Sequence, residues 1–397
     1  MNSNESLQSD LDRAQQRSLV IGGIGIAVCL VGAFMNGQEF IRSYVVAYML
    51  WLGIALGCVA LVMLHHLVGG GWGFVIRRLL ESGARTFPVL LILGIPFLIG
   101  LSPSHAWVRM AALVPKSPPD FKDIYLSPVF FYARTVIYFA AWLILGYILN
   151  KWSFEQDSST EPNRVAIRLQ ALSGPGIIIY GMTITYASID WIMSLEPGWS
   201  STIFGMLFMI SEALSAMAFV IIVLMLISDR KPLAGVVEPH HFHDLGTLLF
   251  AFVMLWAYLS FAQFLIIWYG NLREEIPWYL NRTSGSWASL AVVLIIFHFV
   301  VPFFLLLSRT VKRKKQVLVK VAVVLIFMTW VDLYWIVMPS FSINKDGPQI
   351  QWLWLNLAAP VGIGGIWVAA FIWKLKGKPV LPLNDPEFAG GGAHHGA

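Results

Sequence analysis

Ten apolar runs, each long enough to cross a lipid bilayer, divide this chain of 397 residues. They cover about 18–35, 43–65, 86–101, 127–149, 171–194, 201–227, 244–270, 287–309, 316–338 and 353–375. A run of about twenty apolar residues needs lipid around it rather than a protein core. The third run is the shortest and carries Pro88 and Pro96, which predicts a kink or an extension back into residues 79–85. Composition agrees: 57% of residues are hydrophobic and 12% charged, against roughly 25% charged in soluble domains. These values exclude a soluble enzyme, a disordered chain and a nucleic-acid-binding module. The expected fold is an all-α integral membrane protein with ten transmembrane helices.

Residues 1–17 are polar and lack the basic start and small-residue cleavage site of a signal peptide, so they are expected to be a retained cytoplasmic tail. Residues 376–397 end in GGGAHHGA and are expected to be a flexible tail on the same side. Lysine and arginine set the orientation. Most of the 27 fall on one side of the membrane if the runs alternate: Arg77, Arg78 and Arg85; Lys151, Arg164 and Arg168; Arg230 and Lys231; Arg309 to Lys315; Lys374 to Lys378. Few fall on the other side, among them Arg42, Arg109, Lys116, Lys122, Arg273, Arg282 and Lys345. The positive-inside rule then places both termini in the cytoplasm of a bacterial cell, with the chain in the inner membrane. Trp107, Trp152, Trp199, Trp278, Trp287 and Trp352 lie near run ends, as interfacial aromatics do.

A short internal repeat suggests how the runs group. The fifth ends IDWIMSLEP, with Asp190 seven residues before Pro197, and the ninth ends VDLYWIVMP, with Asp332 seven residues before Pro339. Two matching motifs four runs apart predict two four-helix bundles, spans 2–5 (43–194) and 6–9 (201–338), related as parallel repeats. The first span (18–42) and the tenth (353–375) would be peripheral.

Cysteine narrows the chemistry. Only Cys29 and Cys58 occur, each within an apolar run, so there is no CxxC or CxxCH signature for a cluster or a covalent haem. A b-type haem needs two axial ligands on facing helices, and His298 is the only histidine in mid-run. The chain is therefore expected to hold no haem, cluster or metal of its own. Ionisable residues inside the membrane are functional candidates because charge in hydrocarbon is costly. Here they are Arg134, Asp190, Glu212, His298 and Asp332, with Asp244 at an inner edge. Helical spacing puts Thr183, Tyr186, Asp190 and Ser194 on one face, groups Ser215 with Glu212, and aligns Trp256, Ser260 and Gln263. Asp190, Glu212, Asp244, His298 and Asp332 could form a proton path, supported by Arg134, Thr183, Tyr186, Ser215 and Gln263. Asp190 and Asp332 would occupy equivalent places near the outer face, linked through water and Glu212 or His298 toward Asp244. Asp190→Asn would then leave assembly intact and lower proton movement. The bland alternative is interhelical hydrogen bonding and an Arg–Asp pair that fixes the bundle. Arg134 with its aromatic neighbours could instead hold a quinone head group, with an acid or imidazole taking the proton.

Two stretches carry a family resemblance: SIDWIMSLEPGWSSTIFG, from Ser188 to Gly205, and HFHDLGTLLFAFVMLWAYLSFAQFLIIWYGNLREEIPWY, from His241 to Tyr279. They resemble the ActF membrane subunits of bacterial alternative complex III, a quinol:electron-acceptor oxidoreductase, and length and span number extend the likeness to the whole chain. The resemblance implies an NrfD/PsrC-like architecture of two four-helix bundles. It also implies a heteromeric complex with an ActC-like quinol-binding membrane subunit and periplasmic subunits that carry iron–sulfur clusters and c-type haems. In such complexes the working quinol site is placed in the ActC-like subunit. An ActF-like chain supplies a proton path or structural support, with quinol the one small molecule in question. Two alternatives stand beside this expectation. One is a pure scaffold. The other is a secondary transporter, against which Pro175 and Pro360 count because they do not occupy matching positions in the two halves.

Overall fold

The computed structural model describes residues 3–104, 124–125, 127–196, 198–341, 347, 350–382 and 384. Trp107, Arg109, Lys116, Lys122, Pro197, Lys345 and the His394–His395 pair lie outside the described residues. Every regular element among the described residues is helical. This is what lipid demands, because a helix satisfies its own backbone N–H and C=O groups where no water can. Nine of these helices are long and apolar enough to cross a membrane, or ten if one bent pair counts as a single span. The chain is an all-α, multi-pass membrane protein.

Besides two short helical turns, Gly71–Phe74 and Arg309–Arg313, the α-helices are α1 (Ser3–Met35), α2 (Gly37–Val68), α3 (Arg77–Ala84), α4 (Phe87–Ser104), α5 (Pro128–Ser158), α6 (Pro162–Trp191), α7 (Phe204–Ile227), α8 (Pro239–Gly270), α9 (Ile276–Thr283), α10 (Gly285–Leu294), α11 (Val301–Leu307), α12 (Lys315–Phe341) and α13 (Leu353–Leu375). Local chemistry sets their ends. Asn36 ends α1 and caps α2, its side chain accepting from the backbone N–H groups of Gln38 and Glu39 at 3.1 and 3.2 Å. Gly69 and Gly70 then stop α2 with φ of 69° and 101°, a conformation side chains disfavour. Pro128, Pro162 and Pro239 open α5, α6 and α8, where a missing N–H costs nothing. The third run does extend backward. It is the bent pair α3 and α4, which meet at 44°. A π-helical turn, Ile295–Val300, joins α10 to α11.

Two groups of four form around α2 and α7. The first is α2, the α3–α4 pair, α5 and α6, and the second is α7, α8, the α10–α11 pair and α12. They are not separate bodies: α2 packs along α7, α6 also touches α7, and one apolar core runs through both groups. Gly57 of α2 makes this closeness possible, since a Cβ there would collide with the Glu212 carbonyl oxygen and the Ala216 methyl of α7.

Two expectations change at the periphery. Polar residues 3–17 are not a separate tail, because α1 is helical from Ser3 onward. The charges of its first turns are satisfied by the basic end of the bundle: Asp12 pairs with Lys376 and Asp10 with Arg230, the latter at 2.9 Å. The tenth span is not peripheral. Helix α13 packs on α1, α2 and α3, and Trp367 is fully buried, donating its indole N–H to Thr86 at 2.9 Å. Helix α1 is the outer one, and it lies against α13 through a stripe of small residues. A Cβ on Gly25 would come within 2.5 Å of the Gly362 Cα, and one on Gly365 within 2.5 Å of the Gly22 Cα. Such stripes let helix backbones approach in lipid, where apolar burial supplies no drive.

Candidate functional site

Asp190 lies near the end of α6, wholly buried. Arg134 of α5 grips it with two bonds, Nε to Oδ2 and Nη2 to Oδ1, each 2.8 Å, while the Tyr138 hydroxyl donates to Oδ2 at 2.7 Å. The same guanidinium donates to the Tyr125 carbonyl at 2.6 Å and sits 3.8 Å over the Tyr125 ring. Two turns deeper, Thr183 accepts the Trp142 indole N–H at 2.9 Å. The arrangement is a fork-to-fork ion pair between adjacent helices. Thr183, Asp190 and Ser194 share the buried face as their spacing requires, but Tyr186 does not: it is 42% exposed. It lies at the edge of the stripe, and the buried strip is narrower than the spacing suggests.

Glu212 occupies the seam between the two groups of helices. It is carried by α7, sits over Gly53 and Gly57 of α2, and accepts the Tyr180 hydroxyl of α6 at 2.5 Å. Ser215, one turn on, donates back to the Glu212 carbonyl at 3.1 Å.

Asp332 of α12 accepts the Trp256 indole N–H of α8 at 3.0 Å. A face of that indole stacks on His298, with ring centroids 4.0 Å apart. His298 is fully buried in the π-helical turn, and neither ring nitrogen has a hydrogen-bond partner among the described residues. π-turns gather at functional positions because they turn one side chain out of helical register. Asp332 and Trp256 also line a cavity of about 780 Å³ in the second group of helices. Its walls are mostly apolar and rich in aromatic rings, including Phe204, Phe208, Trp278, Tyr279 and Trp335, with Ser211, Ser260, Gln263 and Thr283 as the other polar groups. The Trp256–Ser260–Gln263 face read from helical spacing does form one wall. Gln263 accepts from Ser201 at 3.1 Å and donates to the Tyr279 hydroxyl at 3.4 Å. Exposed Tyr258 and Phe261 flank the opening toward the apolar surface.

The two repeated aspartates therefore differ in surroundings. Asp190 meets a guanidinium, whereas Asp332 meets an indole and a cavity. The helices differ as well: α6 yields to a 3-10 turn, Met193–Leu195, while α12 runs on through Pro339 to Phe341. Asp244 stands apart. It lies half exposed in the first turns of α8, with His243 Nδ1 at 3.2 Å, and among the described residues shares no hydrogen-bond partner with Glu212 or Asp332. Among the described residues no three His, Cys, Asp or Glu side chains converge as metal ligands would.

Two buried charge networks escape a reading of the sequence. Arg282 of α9 looks like a loop residue but is fully buried. It donates to Glu196 at 2.9 Å, to Ser340 at 2.8 Å and to the Ile336 carbonyl at 2.6 Å, and it lies 3.8 Å over the Trp278 ring. Burial pulls its guanidinium down to about 10, against the opposing pull of Glu196. At the other end, Arg77, Arg78 and Glu81 of α3 are buried with Ser153 and Gln156 of α5. Arg77 donates to Ser153 and Gln156 at 2.8 and 2.7 Å, and Arg78 bonds Glu81 and Asp157 at 2.6 and 2.5 Å. The aromatic neighbours Trp278 and Tyr279, one turn before Arg282, are the only sequence sign of its burial.

Fold and site together define a multi-pass helical membrane protein with acids buried between its helices. No protein-family model matches the chain, and no curated protein is similar to it.

Proposed function

We propose that this chain is an ActF-like membrane subunit of a quinol-oxidising complex of the alternative complex III type, and that it contributes a proton path rather than a redox centre. One observation carries the reading: Glu212 and Asp332 are buried carboxyl groups bonded to neutral donors, Tyr180 and Trp256, with no ion pair to either among the described residues. Carboxyl groups placed this way in hydrocarbon mark proton or ion pathways, because a purely structural role is served more cheaply by apolar packing. Each can accept a proton from one neighbour and pass it to the next where a hydroxyl or water bridges the gap. On the seam the Tyr180 hydroxyl is such a bridge. Asp244, at the basic end, is the mouth of the path in this reading. His298, one ring away from Asp332, is a relay member reached when the Trp256 indole moves aside. Asp190 is better suited to tie α5 to α6 than to exchange protons.

The two stretches from Ser188 to Gly205 and from His241 to Tyr279 support the family assignment. In that setting the partners are an ActC-like quinol-binding subunit, iron–sulfur and multihaem subunits on the periplasmic side, and lipid. The chain sits in a bacterial inner membrane with both termini in the cytoplasm. Affinity purification through a tag on this chain, from mildly solubilised native membranes, is the test. Recovery with multihaem and iron–sulfur subunits supports the reading, and recovery of the chain alone refutes it. A pure scaffold makes the opposite prediction for Glu212→Gln and Asp332→Asn: both assembled complexes move protons like the parent.

A further inference from the structure

At the basic end of the bundle, three cations converge on one aromatic ring. Phe154, in the last turns of α5, has the Arg78 guanidinium 4.8 Å from its ring centre, that of Arg85 at 5.3 Å and the Lys378 ammonium at 4.4 Å. Arg85 sits at the bend between α3 and α4 and donates to the Lys374 carbonyl of α13 at 3.3 Å. The Lys374 ammonium itself lies 4.0 Å from the ring centre of Trp373, which is 58% exposed on the apolar surface.

The charges do not balance. Arg78 is paired with Glu81 and Asp157, and Arg77 with Glu81. Arg85, Lys374 and Lys378 make no ion pair among the described residues. A ring face attracts a cation only weakly at exposed sites. It cannot replace an anion where three like charges are drawn together at the end of a membrane-crossing helix. The missing component is an anion with several oxygens, which guanidinium and ammonium groups recognise in different ways.

Position selects its source. The cluster lies where α13 leaves the apolar zone, beside an exposed tryptophan of the kind that settles at the headgroup level. Basic pockets between transmembrane helices on the cytoplasmic side take acidic lipid headgroups. We propose that Arg85, Lys374 and Lys378 form a binding site for the phosphate of an anionic phospholipid, with Phe154 holding Arg85 and Lys378 in place and Trp373 flanking the lipid beside Lys374. The site is independent of the proton path and of the assignment to a quinol-oxidising complex.

Native mass spectrometry of the full-length protein tests this, with phosphatidylglycerol or phosphatidylcholine titrated into the detergent. The parent is expected to retain phosphatidylglycerol and not phosphatidylcholine. Arg85→Gln/Lys374→Gln/Lys378→Gln is expected to weaken phosphatidylglycerol binding by about a hundredfold. Lys378→Gln alone, on an exposed side chain with no hydrogen bond among the described residues, is expected to weaken it by about fivefold. The charge-matched variant Arg313→Gln/Lys314→Gln/Lys320→Gln, at the same end but away from Phe154, is expected to bind like the parent. Equal losses in the two triple variants would mean diffuse attraction and overturn the site. So would equal binding of the two lipids, or displacement of the lipid by millimolar inorganic phosphate. The acids Asp385 and Glu387 lie just beyond in the sequence, outside the described residues. If Asp385→Asn/Glu387→Gln creates phosphatidylglycerol binding that the parent lacks, the chain's own tail is the anion and the lipid assignment fails.

Discussion

Replacing Asp190 by asparagine separates a structural tie from a proton carrier. The substitution keeps shape and the bond from Tyr138 but removes the charge that Arg134 faces. Arg134 gives Asp190 two bonds of 2.8 Å, and the pair is shielded, with side chains 14% and 0% exposed. Breaking a buried pair by removing one partner costs about 3–5 kcal/mol, because the remaining charge is left unopposed. Arg134 retains the Tyr125 carbonyl and ring, so the expected loss is at the lower end, about 3 kcal/mol. Removing both charges with Arg134→Met/Asp190→Leu should cost only about 2 kcal/mol, the price of leaving the Tyr138 hydroxyl and the Tyr125 carbonyl without these partners. Reversible unfolding in mixed micelles, followed by tryptophan fluorescence, measures both. Two results would refute the reasoning: a loss under about 1 kcal/mol for Asp190→Asn, or a double variant less stable than the single one. The sequence alone predicts that this substitution spares assembly. The bidentate pair is the reason to expect otherwise.

Three further outcomes follow from the packing. Gly57→Leu should prevent α2 from closing on α7 and cost about 3 kcal/mol in the same unfolding assay, since the collision is with the Glu212 backbone and not a movable side chain. Gly25→Val should detach α1 from α13 and leave the rest of the bundle folded, read as faster proteolysis or thiol labelling at Cys29, which is now buried. Arg282→Met should strand Glu196 and Ser340, which it now joins to α9, at a cost of about 3 kcal/mol. Arg282→Lys should recover less than half of that loss, because an ammonium cannot reach Glu196, Ser340 and the Ile336 carbonyl at once.

Hydropathy made the spans legible because the signal is strong and local: a run such as 353–375 has no stable state but a helix in lipid. Helix starts at Pro128, Pro162 and Pro239 were equally local. Depth of burial was not. Arg77, Arg78 and Glu81 look like loop charges until α5 brings Ser153, Gln156 and Asp157 against them. The same limit applies to the repeated motif. Asp190 and Asp332 share a local pattern, yet one meets Arg134 and the other Trp256. A motif on one helix says nothing of the residue its neighbour presents. The polar start of α1 was legible as polar but not as helix, because its acids are stabilised by Lys376 and Arg230, distant in sequence. His298 was marked by position alone, and neither the π-turn nor the stacked indole had a sequence signal.

The central claim is that Glu212 and Asp332 carry protons. Its most direct test is proton movement by the proposed quinol-oxidising complex, purified through this chain and placed in sealed liposomes, per quinol oxidised, with Glu212→Gln and Asp332→Asn compared to the parent. Each variant keeps the shape of the group and the donor it faces, so assembly and quinol oxidation without a proton gradient should persist. The expected result is a proton yield reduced by at least about tenfold in each. A parent-like yield in both assembled variants, or a parent complex that moves no protons, contradicts the account.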